Sequence, residues 1–387
     1  MAHSKCSIGV YGIRGIPSTY SGYETFMTRL LPDLVDRGHA VTLYTRKAFT
    51  PEYDNFKGVR LRPLPAAPFK SLETLSHGFV AALAAQRARH DVILVANVGN
   101  SLFTWIHLLK GQKVVLNTDG LEWTRGKWGP IGRVIFRLAA KLSRFTTSAL
   151  ISDCNAIRDV YQVEFGAQSS VIPYSAPEVA TADHGVLPYG LVPGKFFFHA
   201  ARLNPENNAV ATAEAYITTS TDLPLVIAGT ANYNSPIVAE LERIRAADSR
   251  VILIGHISDR ELFYSLQRTA TAYIHSHSVG GINPSLLEAM SGGARILALD
   301  TPFNREALGS SGEYFSDFGG ELKMLLKHIN LDPLLDASLR TAASSRAATV
   351  FAHATVVNSY EQLLTEVLTS PKPRGFVLKG PWDKAPE

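Results

Sequence analysis

The sequence predicts two α/β domains in series, each a doubly wound, Rossmann-like parallel sheet covered by helices, facing a central cleft. Three observations predict it. Short apolar, β-branched runs alternate with helix-period segments from the first residues; a Pro/Gly-rich stretch interrupts this rhythm near the middle; and the same alternation then restarts. Ligands of such sheets bind beyond the carboxyl ends of the strands, so the loops there are where chemistry is to be sought.

In the first half, strands are expected at 7–11, 40–44, 59–62, 92–96, 113–116, 149–152 and 170–173, with helical patterns at 24–37, 75–88, 101–109 and 154–165. The interruption at 175–194 carries Pro177, Gly185, Pro188, Gly190, Pro193 and Gly194 and reads as a linker. Strands then follow at 196–200, 225–228, 251–254, 272–275 and 295–299, and two helical patterns near 333–350 and 356–368 close the chain before a Pro/Gly-rich tail. The domain division expected is 1–178, a linker at 179–194, 195–365, and a tail at 366–387 that returns to the first domain.

The 387 residues, 46% hydrophobic and 19% charged, supply two ordinary globular cores. A net charge of +4 without a concentrated basic stripe argues against nucleic-acid binding and suits a protein handling anionic nucleotides or touching anionic lipid. Two cysteines, Cys6 and Cys154, cannot form a disulfide framework, which fits a reducing cytoplasm. No run approaches the roughly 18 apolar residues of a membrane span, and the polar start at 1–5 does not read as a signal peptide. A cytoplasmic protein, at most peripheral on the inner membrane face, is expected.

The first strand ends in a loop with Gly12, Gly15, Pro17, Ser21 and Gly22 ahead of a helix near Glu24. Glycines let a backbone approach a ligand closely, and a helix start offers N–H groups to an anion; the bland alternative is a long structural turn. The Gly12–Gly15 spacing misses the dinucleotide fingerprint, and the second strand ends in Arg46 and Lys47 instead of an acid, which disfavours NAD and leaves only NADP chemistry open.

The richest stretch runs from His275 to Met290. Asn283 is a good N-cap, Pro284 suits the first helical position, and Gly280 and Gly281 let the backbone pass close to a ligand. The helix start there, with Ser285, offers partial positive charge to a diphosphate. Glu288, four residues after Pro284, shares its face and is placed to accept hydrogen bonds from ribose hydroxyls; a solvated first-turn glutamate is the alternative. His275 and His277 lack a companion carboxylate cluster, so packing or lining the cleft is favoured over a metal site. Arg202, in the loop 201–208 after the restart's first strand, offers a fork to phosphate oxygens that gain charge as a diphosphate leaves, unless it is a plain surface arginine. Asp153 follows a strand end and opens a helix, as a plain N-cap does, and Tyr174 lines the cleft or packs in a core.

Taken together, Gly12–Pro17, Asp119–Trp123, Pro205–Asn208 and Gly280–Met290 resemble the retaining GT-B glycosyltransferases of the family-4-like group, most closely a bacterial subgroup with rhamnosyltransferases of cell-surface polysaccharide assembly. The resemblance spans nearly the whole chain. It implies a GT-B fold and a metal-independent hexosyl transfer, rhamnose from dTDP-rhamnose being the best match, onto a glycan or polyprenyl-diphosphate-linked acceptor. It also implies no cofactor beyond the nucleotide-sugar donor, a front-side mechanism, and donor contacts from Gly12, Gly15, Ser21, Gly22, Asn207, Gly280, Gly281, Asn283, Pro284, Ser285 and Glu288. Arg202, Asp119, Glu122 and Asp153 become the catalytic candidates. Two positions depart from the wider pattern: Asn207 stands where a diphosphate-binding lysine is usual, and Gly280 where a sugar-binding glutamate is usual. No Asp-x-Asp pair is present to hold a metal on a diphosphate.

The segment 131–145 keeps Ile131, Val134, Ile135, Leu138, Leu142 and Phe145 in helical period, with Arg133, Arg137, Lys141 and Arg144 mostly off that face. It reads as a helix for an anionic membrane surface or as one packed on its sheet with a solvated basic side. Two other functional classes stay open: a nucleotide-sugar epimerase of the same architecture, active without an acceptor, and a non-enzymatic nucleotide-sugar binder that never releases nucleotide.

Overall fold

The computed structural model describes residues 5–17, 22–50, 54–67, 73–126, 128–179, 188–231, 235–329, 332–371 and 374–383. The chain forms two compact units: Met1–Thr124, Trp128–Tyr174 and His353–Ala385 make the first, and Arg125–Lys127, Ser175–Ala352 and Pro386–Glu387 the second.

The first unit holds strands β1 (Ser7–Tyr11), β2 (Ala40–Arg46), β3 (Asn55–Phe56), β4 (Val59–Leu64), β5 (Val92–Ala96), β6 (Lys113–Asn117), β7 (Ala149–Ser152) and β8 (Ser170–Val171). They form one sheet in the order β3-β4-β2-β1-β5-β6-β7-β8, parallel except for the β3–β4 hairpin. Helices α1 (Gly22–Asp36), α2 (Glu73–Ala88), α3 (Ser101–Leu108), α4 (Pro130–Thr146) and α5 (Asn155–Phe165) belong to it. Strands such as β5, buried at every residue, explain the unbroken apolar runs, since a parallel sheet is covered on both faces. The expected strand 170–173 is shorter, Ser170–Val171, at the edge of the sheet.

The second unit holds β9 (Phe197–Ala200), β10 (Leu225–Ala228), β11 (Val251–Gly255), β12 (Ala272–His275), β13 (Ile296–Leu299) and β14 (Glu313–Phe315). They form an all-parallel sheet in the order β11-β10-β9-β12-β13-β14. Its helices are α6 (Ala209–Ile217), α7 (Pro236–Ala247), α8 (Arg260–Thr269), α9 (Pro284–Ser291), α10 (Pro302–Leu308), α11 (Lys323–Lys327) and α12 (Pro333–Val350). The short edge strand β14 carries too little apolar sequence to stand out and was not among the expected strands.

The last helix, α13 (His353–Thr369), groups with the first unit although its sequence follows the second. Its anchors are charged and aromatic: Glu361 accepts from Arg37 at 2.6 Å, Tyr360 accepts from the Asn117 amide at 2.8 Å, and the Tyr360 ring lies 5.7 Å from that of Phe26. Farther along, Phe376 bridges to Ala149 at β7, and Asn155 donates to the Trp382 carbonyl at 2.9 Å.

Candidate functional site

Both sheets reverse their strand order at one point, β1/β5 in the first unit and β9/β12 in the second; the motifs at Gly12, Pro205 and Gly280 lie in loops that leave β1, β9 and β12, while Asp119–Trp123 follows β6.

In the first unit, Gly12 leaves β1 with φ +109°, and a Cβ there would stand 2.1 Å from the Ala96 carbonyl oxygen. Glycine is therefore required by the close passage of two backbones. Gly15 is buried against the Phe49 carbonyl. Gly22 begins α1, and the carboxylate of Glu24 in its first turn accepts from the Arg14 N–H at 3.0 Å. A carboxylate thus sits where the sequence suggested an incoming anion. Ser21 lies outside the described residues. Arg46 is buried and paired with Glu73 at 3.1 Å, so it is not presented to a ribose 2′-phosphate.

The acids of this unit gather at the ends of β6 and β7. Asp119 adopts φ +53° and accepts from the Asn97 amide at 3.2 Å and the Tyr174 hydroxyl at 3.1 Å, while its own N–H donates to Asn117 at 2.9 Å. Burial first, then the charges of Asp119 and Asp153, push the Tyr174 hydroxyl well above its ordinary pKa, so it remains a donor. Tyr23 and Phe26 pack edge-on against the Tyr174 ring, each at 5.6 Å. Glu122 is buried and accepts from the Trp128 indole at 3.1 Å. Asp153 is buried at the end of β7; the N-cap of α5 is its neighbour Cys154, which makes no side-chain cap bond. The structure therefore brings Asp119, Asp153 and Tyr174 together, with Asn97 and Tyr360 as members the sequence reading missed. Asn97 follows a strand end at φ +67°, a signal visible only in the backbone, and Tyr360 arrives from α13, 243 positions from the Asn117 amide that donates to it.

In the second unit, two loops are tied together. Ser278 donates to the Glu206 carbonyl through both its N–H and its hydroxyl, each at 3.0 Å. Asn208 donates to the Ser276 carbonyl at 2.8 Å, and the Ser276 hydroxyl to the Asn207 carbonyl at 2.8 Å. Asn207 is turned inward, donating to the Arg202 carbonyl at 2.7 Å, whereas the Arg202 side chain is exposed. Gly280 and Gly281 have φ +116° and +75°, values that L side chains rarely adopt. Asn283 caps α9, its oxygen accepting from the Ser285 N–H at 3.1 Å and hydroxyl at 2.9 Å, with Pro284 at the first helical position. Glu288 is buried one turn along and pairs with Arg260.

His275 is fully buried and stacks on His277 with ring centroids 4.3 Å apart and 12° between planes. Burial, then His199, lowers its pKa to about 3, and burial lowers that of His199 to about 4, so both imidazoles are neutral at ordinary pH. Among the described residues no cluster of His, Cys, Asp or Glu has the makings of a metal site. The two carboxylate oxygens of Glu206 and the Nδ1 of His277 are buried without hydrogen-bond partners. Such groups are uncommon in folded proteins, and they lie in the two tied loops. A cavity of about 840 Å³ opens beside Gly229, Thr230, Ser235 and Leu253; of the residues in the motif loops it touches only Leu203.

The family model for Glycosyltransferase Family 4 matches residues 20–174. No curated protein sequence matches the chain. Solved structures share its fold along almost its whole length. Sucrose-phosphate synthase from Thermosynechococcus elongatus is 17% identical with a TM-score of 0.76, covering 94% of this chain and 99% of its own. Anabaena HepE, solved with UDP-glucose, is 15% identical with a TM-score of 0.74, covering 93% and 100%. The trehalose-6-phosphate synthase OtsA is 11% identical with a TM-score of 0.73, covering 95% and 99%. The fold is thus that of the GT-B glycosyltransferases, and the family match over the first unit points to the same class.

Proposed function

We propose that this protein is a glycosyltransferase that takes a sugar from a nucleoside diphosphate donor, with rhamnose from dTDP-rhamnose as the best match, and passes it with retention to a glycan or lipid-linked saccharide. The observation that carries the reading is the pair of tied loops in the second unit. There an exposed arginine, two left-handed glycines, a capped helix start and a buried glutamate one turn along stand at one topological switch point. The helix start and Arg202 suit a diphosphate, and Glu288 suits the ribose hydroxyls. HepE, solved with UDP-glucose, supports a nucleotide-sugar donor.

In the proposed reaction the bond from the anomeric carbon to the diphosphate oxygen breaks. The acceptor hydroxyl attacks from the same face, and its proton passes to the departing phosphate oxygen. Arg202 and the N–H groups of α9 stabilise the charge that grows there, an interaction stronger in the transition state than before it. Asp119, held by Tyr174 and Asn97, and the buried Asp153 and Glu122 orient the acceptor side. No metal takes part in this proposal.

The acceptor's setting is proposed from α4. Phe136, Ala139, Ala140 and Ser143 form its buried face. The apolar stripe read from the sequence is a different one: Ile131, Val134, Leu138 and Phe145 are exposed at 78%, 66%, 51% and 45% and Ile135 and Leu142 are half-buried, flanked by exposed Arg133, Arg137, Lys141 and Arg144. An apolar stripe with cationic flanks suits the surface of an anionic bilayer, where a lipid-linked saccharide resides. Among the described residues no helix is long and apolar enough to cross a membrane.

Thermal unfolding in EDTA against a panel of nucleotide sugars tests the donor. A ligand at about 100 times its Kd adds roughly 2.7 kcal/mol, a shift of a few degrees. A shift with dTDP-rhamnose alone is expected; no shift with any nucleotide sugar would refute the reading.

A further inference from the structure

Glu288 has a partner that the sequence reading did not supply. Arg260, at the start of α8, directs one guanidinium nitrogen at both the Glu288 carboxylate and the Tyr264 hydroxyl, the latter at 2.9 Å. The guanidinium carbon lies 5.0 Å from the centre of the Phe263 ring and 4.8 Å from that of Tyr264, so two aromatic faces on its own helix limit its movement. The carboxylate it meets is almost wholly buried, at 8% exposure, while the arginine is only partly covered.

We infer that Arg260 is a positioning residue for nucleotide recognition: it holds the buried Glu288 carboxylate ionised and in one orientation so that its remaining lone pairs meet the ribose hydroxyls. The inference rests on the reading of Glu288 as the ribose-binding group. A carboxylate accepts two hydroxyl hydrogen bonds only while ionised; protonated, it presents a donor to one of them. Burial raises the Glu288 pKa above its ordinary value, and the charge and hydrogen bond of Arg260 oppose that rise. Burial likewise disfavours the Arg260 cation, but Glu288 and Tyr264 overcome this and raise its pKa. Both partners are raised because the carboxylate is the more deeply buried of the two.

Among the described residues, Arg260 is the charge that acts on the Glu288 carboxylate. Tyr273 on β12 donates to the Ala200 carbonyl at 3.2 Å, and burial raises its pKa, keeping it neutral. On α12, packed against α9, Arg340 pairs with Asp336 at 2.7 Å and Arg346 donates to the carbonyls of Glu306 and Ala307. On α10, Arg305 pairs with Asp300 at 2.5 Å. Removing Arg260 therefore leaves the carboxylate buried without compensation, and such a group takes up a proton.

The test is calorimetric titration of UDP and of dTDP, across pH 5.5 to 9, into the full chain and into Arg260→Met, Arg260→Lys and Glu288→Gln. Methionine keeps much of the apolar stem that lies on the rings. Wild type should bind with nearly constant affinity through the neutral range. Arg260→Met should bind roughly 10-fold more weakly at pH 6 and recover as pH rises and Glu288 loses its proton, while Arg260→Lys should restore most of the flat profile. A merely structural role predicts a loss that pH does not move, and that result would overturn the inference. So would tighter binding by Arg260→Met at every pH, which would make the arginine a competitor of the nucleotide. If Glu288→Gln binds like wild type, the ribose reading itself falls. If Glu288→Gln is weak and Arg260→Met matches wild type, this inference alone falls.

Discussion

The strand-end loops of the two units use similar residue types to opposite ends. In the first unit, Gly12 is fixed by a carbonyl against its α-carbon, Glu24 closes on the Arg14 N–H, and Asp119 already accepts from Asn97 and Tyr174. These groups are already engaged within the unit. In the second, Arg202 is exposed, the Glu206 carboxylate lacks hydrogen-bond partners, and the start of α9 keeps N–H groups beyond the one capped by Asn283. Glycine-rich loops at two switch points are therefore not two equivalent anion sites. We therefore propose that the first loop shapes the site and that the second, with its exposed arginine and open helix start, takes the anion.

Substitution at Gly12 should have the largest effect on that contrast. Gly12→Ala places a methyl group on the Ala96 carbonyl at a positive φ, and a loss of about 3 kcal/mol in chemical unfolding is expected. Normal stability would mean that the first loop is adaptable, as a binding loop is. Next, Arg202→Ala should lower kcat by roughly 100-fold or more with little change in donor affinity, because its charge meets a charge that grows only as the bond breaks. An unchanged kcat would return Arg202 to the ordinary surface. Asp119→Asn keeps an acceptor for Tyr174 but removes the negative charge; turnover should fall about 10-fold while nucleotide affinity stays as it was, and a loss of affinity instead would blur the division of labour between the units.

The smallest effect concerns pH. His199 and His275 are held neutral by burial, so their pKa values in the fold, about 4 and about 3, lie below the unfolded value. Below an ordinary histidine pKa near 6.5 the unfolded chain binds more protons, and stability is lost as pH falls from there toward those values. Unfolding at pH 7 and pH 5 should show His275→Phe with a shallower acid loss than wild type; an equal slope would mean that this histidine does not sense acid.

Much of this was legible in the sequence because it depended on local chemistry. The Asn-Pro start of α9 and the apolar runs of both sheets announce themselves within a few residues of chain. What could not be read depends on contacts between distant segments. Tyr360 reaches Asn117 across 243 positions, and Arg260 reaches Glu288 across 28. The helix over 131–145 was legible, but not which of its two faces packs: Phe136, Ala139, Ala140 and Ser143 turn inward and leave Ile131, Val134, Leu138 and Phe145 outside. The charged and aromatic anchors that attach α13 to the first unit carry no sequence signature at all.

The central claim is that the second unit binds the nucleotide through Glu288. Calorimetric titration of dTDP and UDP in EDTA, comparing wild type with Glu288→Ala, tests it most directly. Loss of two hydrogen bonds to a charged acceptor should weaken binding by about 2 kcal/mol or more, at least roughly 30-fold. Equal affinity in the two proteins would contradict the account.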